Sequence, residues 1–386
     1  MARGGVYNIS VAVSAKEDQE MKPLEFATVP TVYAVGKNYQ IMVPVTCETV
    51  MWVRVGDRNF YDDSNGILRS ACTTHRMTVP MELLDEVQTY TVCYRTVFDR
   101  KPYFAELSDV MEYTSSFRPV RSDGAIRIYH IADAHNRVAE PVAAGKYFGE
   151  KLDLLVLNGD IPNHSGKIEY FTAIHEIAAQ ITNGEIPVIF SRGNHDTRGI
   201  FAEKIEEHVP TDMGRSYYTF RLGRLWGMVL DCGEDKSDDH TEYGHTICCE
   251  DFRRRETDFI RNVIASAATE YEADGVENRI VICHNPFTQT LKPPFDIEQE
   301  TYTEWSRLLR EHVKPQIMLC GHIHKCYVSP VGGELDHKGQ PCPVIVASKA
   351  TDNVFMGGAV ELYTDRCNVK FTDNLGVAKD EIEILF

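Results

Sequence analysis

The stretch Ile-Pro-Val-Ile-Phe-Ser-Arg-Gly-Asn-His-Asp, residues 186–196, carries a short apolar run directly into a group of polar, metal-binding side chains. Four other segments repeat this arrangement. Their apolar, β-prone runs are residues 126–132, 154–157, 280–283 and 317–320. In an α/β sheet, ligand sites gather at the carboxyl ends of the strands. We therefore expect the polar residues that follow the five runs to converge on one site.

These polar residues have the side chains that transition metals prefer. Three are oxygen donors and four are histidines: Asp133, Asp160, Asn194, His135, His284, His322 and His324. The set is too large for one ion. It suits two ions that share a carboxylate and leave positions for water and substrate.

Each segment taken alone is weak evidence. The Gly-Asp pair at 159–160 is also a common turn sequence. A lone histidine such as His284 is more often a core or surface residue than a ligand, and Asn194 after Gly193 also fits a left-handed turn. The ordered combination of all five segments is far more specific than any one of them.

The ordered set Asp-x-His, Gly-Asp, Gly-Asn-His-Asp, an isolated His after a strand, and Gly-His-x-His resembles the calcineurin-like metallophosphoesterase superfamily. The resemblance covers residues 126–326, about half of the chain. It implies an α/β fold of four layers, in which a β-sandwich is flanked by helices and the last strands complete the second sheet. Helical spacing of apolar residues at 169–181, 256–268 and 303–313 agrees with helices between the strands.

The resemblance also implies an activity and a metal site. Relatives of this kind are dinuclear, metal-dependent phosphoesterases that cleave phosphate mono- or diesters by attack of a metal-bound hydroxide. Asp160 is expected to bridge the two ions, because one carboxylate can hold both at a fixed spacing. The resemblance assigns Asp133, His135 and His324 to the first ion and Asn194, His284 and His322 to the second.

His195 is left over from the ligand set. The family motif makes it the residue that contacts the substrate phosphate, together with Asn194, and that protonates the leaving oxygen; the ordinary pKa of histidine suits this role. Asp196 is expected to orient or stabilise His195, or to support the ligands. Arg198 is a candidate for binding a phosphate oxygen, with a surface arginine as the alternative.

The chain changes character near residue 120. Residues 6–117 contain short runs typical of strands, at 6–13, 39–45, 49–55, 77–81 and 89–98, with turn sequences between them. This pattern resembles a fibronectin-III or immunoglobulin-like sandwich, with Trp52 as a core candidate. We predict a sandwich domain at 1–120 and a catalytic domain at 121–386.

The same order of domains occurs in purple acid phosphatases, but the metal residues differ. Those enzymes have Gly where this chain has His135. They also have Tyr where this chain has Asn163, and that Tyr gives them their colour. The metal site of this chain therefore resembles the broader superfamily.

The composition of the chain argues against two classes of binding partner. The formal net charge of −17 argues against binding to nucleic acid or to an anionic membrane. It does not argue against a small phosphorylated substrate, because bound cations dominate the field of such a site. The 11 cysteines have no regular spacing, and residues 1–5 do not lead into an apolar signal sequence. Both features favour a cytoplasmic location.

The sequence is compatible with several alternatives. A non-catalytic scaffold or recognition protein could retain the fold, although such proteins usually lose the motif residues. Mn, Fe and Zn all suit the ligand set. The natural substrate, the oligomeric state and the role of the acidic stretch 231–256, functional loop or solvated excursion, are not determined by the sequence.

Overall fold

Strands make up most of the regular structure. The computed structural model describes residues 22–351 and 353–386, so the predicted strand at 6–13 lies outside the described residues. The first ten strands are β1 (Thr31–Val35), β2 (Asn38–Pro44), β3 (Thr49–Val55), β4 (Arg58–Tyr61), β5 (Asp63–Ser64), β6 (Ile67–Leu68), β7 (Thr74–Pro80), β8 (Thr89–Asp99), β9 (Glu106–Leu107) and β10 (Met111–Ser116). The others are β11 (Ile126–Ile131), β12 (Leu154–Asn158), β13 (Pro187–Ser191), β14 (Tyr218–Leu222), β15 (Leu225–Leu230), β16 (Asn278–Cys283), β17 (Ile317–Cys320), β18 (Tyr327–Ser329), β19 (Val344–Val346), β20 (Lys349–Ala350), β21 (Phe355–Leu362), β22 (Arg366–Asp373) and β23 (Ala378–Leu385).

The described residues form five α-helices. They are α1 (Met81–Val87), α2 (Ala139–Gly145), α3 (Thr172–Thr182), α4 (Cys249–Ala265) and α5 (Gln299–Leu308). The predicted helices at 169–181, 256–268 and 303–313 correspond to α3, α4 and α5, each with shifted ends. No helix in the described part of the chain combines the length and the apolar character needed to cross a membrane.

The predicted four-layer architecture is confirmed. A ten-stranded sheet has the order β23-β22-β21-β11-β12-β13-β1-β2-β7, with β20 beside β21. A six-stranded sheet has the order β14-β15-β16-β17-β19-β18. Apolar side chains from β11 and β12 pack against side chains from β16 and β17 between the two sheets. Helices α2 and α3 cover the outer face of the large sheet, and α4 and α5 cover that of the smaller sheet.

From residue 22 onward, the described part of the N-terminal region is built of strands apart from α1 and its turns, as its sequence predicts. Strands β1, β2 and β7 face a sheet of order β10-β8-β3-β4, and the two share one apolar core. However, β1 also pairs in parallel with β13, with Val32 opposite Pro187. One sheet of the sandwich is therefore continuous with the catalytic sheet. The division at residue 120 stays a prediction, and hydrogen bonds of the large sheet join the regions on either side of it.

The proposal that Trp52 belongs to the core is wrong. Side chains alternate between the faces of a strand, and the inward face of β3 carries Met51, Val53 and Val55, all fully buried. Trp52 lies on the opposite face, where its ring is 6.2 Å from the ring of Tyr61. It covers a strand surface instead of filling the interior.

Candidate metal centre

The candidate site lies where strands of both large sheets end. Strands β11, β12 and β13 are parallel neighbours, and so are β15, β16 and β17. The five polar segments follow the carboxyl ends of β11, β12, β13, β16 and β17. All of the metal-ligand candidates are therefore delivered to the same edge of the sandwich. The structure brings them together as the sequence predicts.

Several of these residues have an unusual backbone. The φ angles of five predicted ligands lie between 46° and 66°, in the left-handed region that side chains other than glycine rarely adopt: Asp133, His135, Asp160, His322 and His324. Such conformations cost free energy and persist where the surroundings impose them, often at functional sites. All five residues lie in the turns that follow β11, β12 and β17.

Glycines allow two of these turns to meet. A Cβ atom added to Gly159 would lie 2.6 Å from the backbone nitrogen of Gly193, and one added to Gly193 would lie 2.3 Å from Oδ1 of Asp160. Neither position has room for a larger residue. The glycines of the Gly-Asp and Gly-Asn-His-Asp segments are therefore required for the close approach of Asp160 and Asn194.

One group of candidate ligands lies on the solvent side of the site. Ligand atoms of Asp133, His135 and His324 all lie within 4.8 Å of one another. Oδ1 of Asp133 is 3.2 Å from Nε2 of His324, and the two histidine Nε2 atoms are 3.3 Å apart. The side chain of His324 is 53% exposed, so this side of the site is open to a substrate from solvent.

A second group lies deeper. Ligand atoms of Asp160, His284 and His322 also lie within 4.8 Å of one another. Oδ1 of Asn194 is 3.0 Å from Nδ1 of His322. Nδ1 of His284 donates a hydrogen bond to the carbonyl oxygen of Asn158 at 2.6 Å, which turns Nε2 toward the site. A fixed hydrogen bond on the opposite nitrogen is typical of histidines that bind metals.

The residues fit a pair of metal ions. Two buried atoms of the site, Oδ1 of Asp133 and Nε2 of His284, make no hydrogen bond and lie 3.7 Å apart, although each is 3.2 Å from an ionisable side chain, His324 and Asp160 respectively. Buried polar atoms that make no hydrogen bond are costly in a protein interior. Cations held by the two groups would give each atom a partner, and carboxylate, imidazole and amide donors match the preferences of Mn, Fe and Zn.

Opposite charges stabilise each other at this site. Burial lowers the pKa of His284, but the carboxylates of Asp160 and Asp133 outweigh burial and raise it to about 10. Burial raises the pKa of Asp160, but the neighbouring His284 imidazole holds it below its usual range. Burial lowers the pKa of His322 to about 4. The protein therefore keeps the Asp160 carboxylate ionised, as a metal ligand must be.

His195 lies beside both groups. Its Nδ1 donates to the carbonyl oxygen of Asn163 at 2.8 Å, and its Nε2 is 4.0 Å from Oδ2 of Asp160. Nη1 of Arg198 is 3.3 Å from the same Nε2. His195 and Arg198 therefore face one point at the mouth of the site. His195 could also bind a metal ion, because ligand atoms of His135, Asp160 and His195 all lie within 4.8 Å of one another.

Of the two roles expected for Asp196, its hydrogen bonds fit support of the ligands, and none of them reaches the His195 side chain. Oδ2 of the fully buried Asp196 accepts hydrogen bonds from the backbone nitrogens of Gly193 and Asp160, at 2.6 and 3.2 Å. Burial and the charge of Asp160 raise the pKa of Asp196 to about 8. Asp196 fixes the backbone of two ligand loops, while the carbonyl group of Asn163 orients His195.

The acidic stretch 231–256 supplies residues that the sequence does not single out. Glu234 is 1% exposed and binds the guanidinium of Arg198 through both carboxylate oxygens, at 2.7 and 2.8 Å. It also accepts a hydrogen bond from the hydroxyl group of Tyr243 at 3.0 Å. Oδ2 of the neighbouring Asp235 is 4.0 Å from Nε2 of His322. This stretch follows β15 and is therefore part of the site.

The family assignment follows from a sequence comparison. The sequence model of the family described as calcineurin-like phosphoesterase matches residues 126–326, more than half of the chain. The chain belongs to this family. It is a phosphoric ester hydrolase, and the family implies a binuclear metal centre. A search of curated proteins found no match.

Two solved structures share the fold at low sequence identity. The purple acid phosphatase PPD1 from seeds of yellow lupin (Lupinus luteus) has a TM-score of 0.58 at 14% identity, covering 92% of this chain and 74% of that one. A structure of PhoD has a TM-score of 0.53 at 11% identity, and the alignment covers 93% of this chain and 90% of that one. Both alignments include the N-terminal β region, so the predicted resemblance to purple acid phosphatase architecture is confirmed.

Proposed function

We propose that this protein hydrolyses phosphate mono- or diesters of small molecules at a dinuclear metal centre. The observation that carries the proposal is the convergence of seven candidate ligands with His195 and Arg198 at the ends of five strands. The left-handed backbone at Asp133 and Asp160, and the buried atoms of Asp133 and His284 that make no hydrogen bond, support a site built for cations. Mn, Fe and Zn are the favoured metals.

Asp160 is the proposed bridging ligand. Its carboxylate contacts Nε2 of His284 at 3.2 Å and lies 4.0 Å from Nε2 of His195. It is the carboxylate that belongs to groups on both sides of the site. When bound, two cations neutralise phosphate oxygens and lower the pKa of a coordinated water.

The remaining groups are placed to act on the ester. Because Nδ1 of His195 is held by the carbonyl of Asn163, the second proton of the protonated ring is carried by Nε2, which faces the site. We assign His195 the transfer of that proton to the leaving oxygen. Arg198 holds a phosphate oxygen beside it, and Glu234 fixes the guanidinium plane. Intact His195 and Arg198 favour an enzyme over a scaffold that keeps the fold.

The net charge bears on the class of substrate, and the cysteines bear on the cellular compartment. A net charge of −17 supports a small phosphorylated substrate over nucleic acid or an anionic membrane. The 11 free cysteines support a reducing compartment, and we propose the cytoplasm.

Metal removal tests this proposal. Purified protein is treated with EDTA, and hydrolysis of an aryl phosphate and a bis-aryl phosphate is measured before and after addition of Mn²⁺. We expect activity to disappear with the metal and to return with Mn²⁺. Activity that persists in protein shown to be metal-free would overturn the proposal, and metal-loaded protein that cleaves neither ester would favour the scaffold.

A further inference from the structure

A cavity of about 430 Å³ opens directly beside the candidate metal centre. It shares two residues with the site: His322, which groups with Asp160 and His284, and Asp235, which lies 4.0 Å from it. Ligand pockets are typically about 300–1,000 Å³ in volume. The cavity therefore has the size of a ligand pocket and adjoins the proposed position of the phosphate.

The lining of this cavity is mainly apolar and aromatic. The side chains concerned are Phe287, Leu291, Phe295, Ile297, Tyr302 and Ile323. Phe287 and Tyr302 are 2% and 7% exposed and form a buried floor, whereas Leu291 and Phe295 are each 38% exposed at the rim. Large apolar side chains at the rim of a concave surface are typical of ligand sites. Covering them with an apolar group is favourable.

The charges around the cavity do not suit a second anion. Among the described residues that line it there is no lysine or arginine. The carboxylate of Asp235 is already paired, with Nζ of Lys236 at 3.0 Å and the hydroxyl group of Tyr243 at 3.0 Å. Nζ of Lys236 in turn lies 4.9 Å from the ring centroid of Phe295. An uncharged occupant fits these surroundings best.

We infer that this cavity binds the organic group of the phosphate ester, and that the preferred group is uncharged, apolar and large enough to contain an aromatic ring. The inference rests on the proposed function and specifies its substrate class. With the phosphate at the metal centre beside His322, the ester oxygen can direct its substituent into the cavity. The aromatic floor then contacts the ring, and the amides of Asn285 and Gln289 border it.

A matched pair of substrates tests the inference. Ethyl phosphate and 2-phenylethyl phosphate release alcohols of similar acidity, so a difference in kcat/KM reports contacts with the phenyl group. The variants are Leu291→Ala and Phe295→Ala, which truncate partly exposed side chains and leave the core intact. Phe295→Ala also removes the ring that Lys236 contacts. Leu291→Ala is therefore included as a second variant that leaves this contact in place. Phe104→Ala, at a residue 95% exposed and absent from the cavity lining, is the control.

We expect the metal-loaded wild type to prefer 2-phenylethyl phosphate by about tenfold or more in kcat/KM. Each rim variant should lower kcat/KM for that substrate roughly three- to tenfold and change ethyl phosphate by less than about twofold. Equal wild-type values for the two esters, or parallel losses on both in the variants, would overturn the inference while the proposed function stands. Hydrolysis of neither ester would overturn the inference, and the proposed function would fall with it only if the aryl phosphate and the bis-aryl phosphate were also left intact.

Calorimetry with non-hydrolysable phosphonates gives a readout independent of turnover. 2-Phenylethylphosphonate should bind the metal-loaded wild type more tightly than ethylphosphonate, and the rim variants should reduce that preference. The Phe104→Ala control should retain it. Equal affinities for the two phosphonates would contradict the inference even if the protein hydrolyses phosphate esters.

Discussion

At the residue scale, His195 is the side chain whose loss should impair catalysis without impairing metal binding. Its Nε2 faces the site beside Arg198, but the two ligand groups are complete without it. We expect His195→Ala to lower turnover of an aryl phosphate by roughly 10²–10⁴-fold, the range for loss of a general acid, and to retain its metal. Steady-state kinetics and metal analysis on the same sample measure both effects. His312→Ala, at an exposed histidine, serves as the control.

Loss of metal from His195→Ala, together with loss of activity, would show that His195 is a ligand. The structure makes this a real alternative, because His195 groups with His135 and Asp160 within 4.8 Å. Retained metal with unchanged turnover would instead remove His195 from the mechanism.

The motif residues could be predicted as a set, because they follow five apolar runs in a fixed order. Glu234 could not, although it holds Arg198. The run Leu225–Leu230 contains Trp226 and Gly227, and it is not predicted as a strand from the sequence. The residues that follow it are therefore not expected to lie at a strand end. Because β15 pairs in parallel with β16, Glu234 and Asp235 reach the same edge as His284. Which strands pair in parallel depends on residues far apart in sequence, so the local sequence pattern does not predict it.

At the scale of elements, a buried imidazole connects the two sheets of the N-terminal sandwich. His75 on β7 is fully buried, its Nδ1 lies 2.6 Å from Asp62, and its Nε2 lies 2.9 Å from the hydroxyl group of Thr49 on β3. Burial lowers the pKa of His75, but the hydrogen bond to Asp62 outweighs burial and raises it from 6.5 to about 9.

A pH dependence of stability follows from this shift. Because the pKa of His75 is higher in the folded state, its contribution is complete below about pH 6.5 and is lost as the pH rises through about 9. We expect His75→Gln to lower the urea midpoint most at pH 6 and progressively less toward pH 10. Unfolding curves of both proteins across this range check the expectation. A constant difference between them would contradict it.

Strand positions were largely predictable from composition, and strand partners were not. The alternating run at 49–55 predicts β3 with its observed bounds. The short strand β1 is fully buried, lacks the alternation of a surface strand and is not predicted, yet it joins the two regions through β13. Its role depends on contacts more than 150 residues away in sequence, which local propensity does not encode.

At the scale of the whole molecule, the continuous sheet makes the two regions interdependent. Val32 on β1 is fully buried in the shared core and pairs with Pro187 on β13. We expect Val32→Asp to destabilise the protein by about 3 kcal/mol or more, because the carboxylate has no partner there. The loss should appear as one cooperative unfolding transition in which metal is released. Calorimetry measures this, with Val331→Asp, at a residue 57% exposed, as the control.

Two separate transitions, with the later one unchanged by Val32→Asp, would contradict this expectation. That result would mean that the region after residue 120 folds independently despite the pairing of β1 with β13.

Metal content tests the central claim most directly. Mass-spectrometric metal analysis of protein reconstituted with Mn²⁺ and freed of excess metal should give about two ions per chain for the wild type, the stoichiometry of a dinuclear site. Asp160→Asn removes the proposed bridging charge and should lose ions, whereas His195→Ala should keep both. A wild-type chain that binds no metal, or an Asp160→Asn variant that retains two ions, would contradict the account.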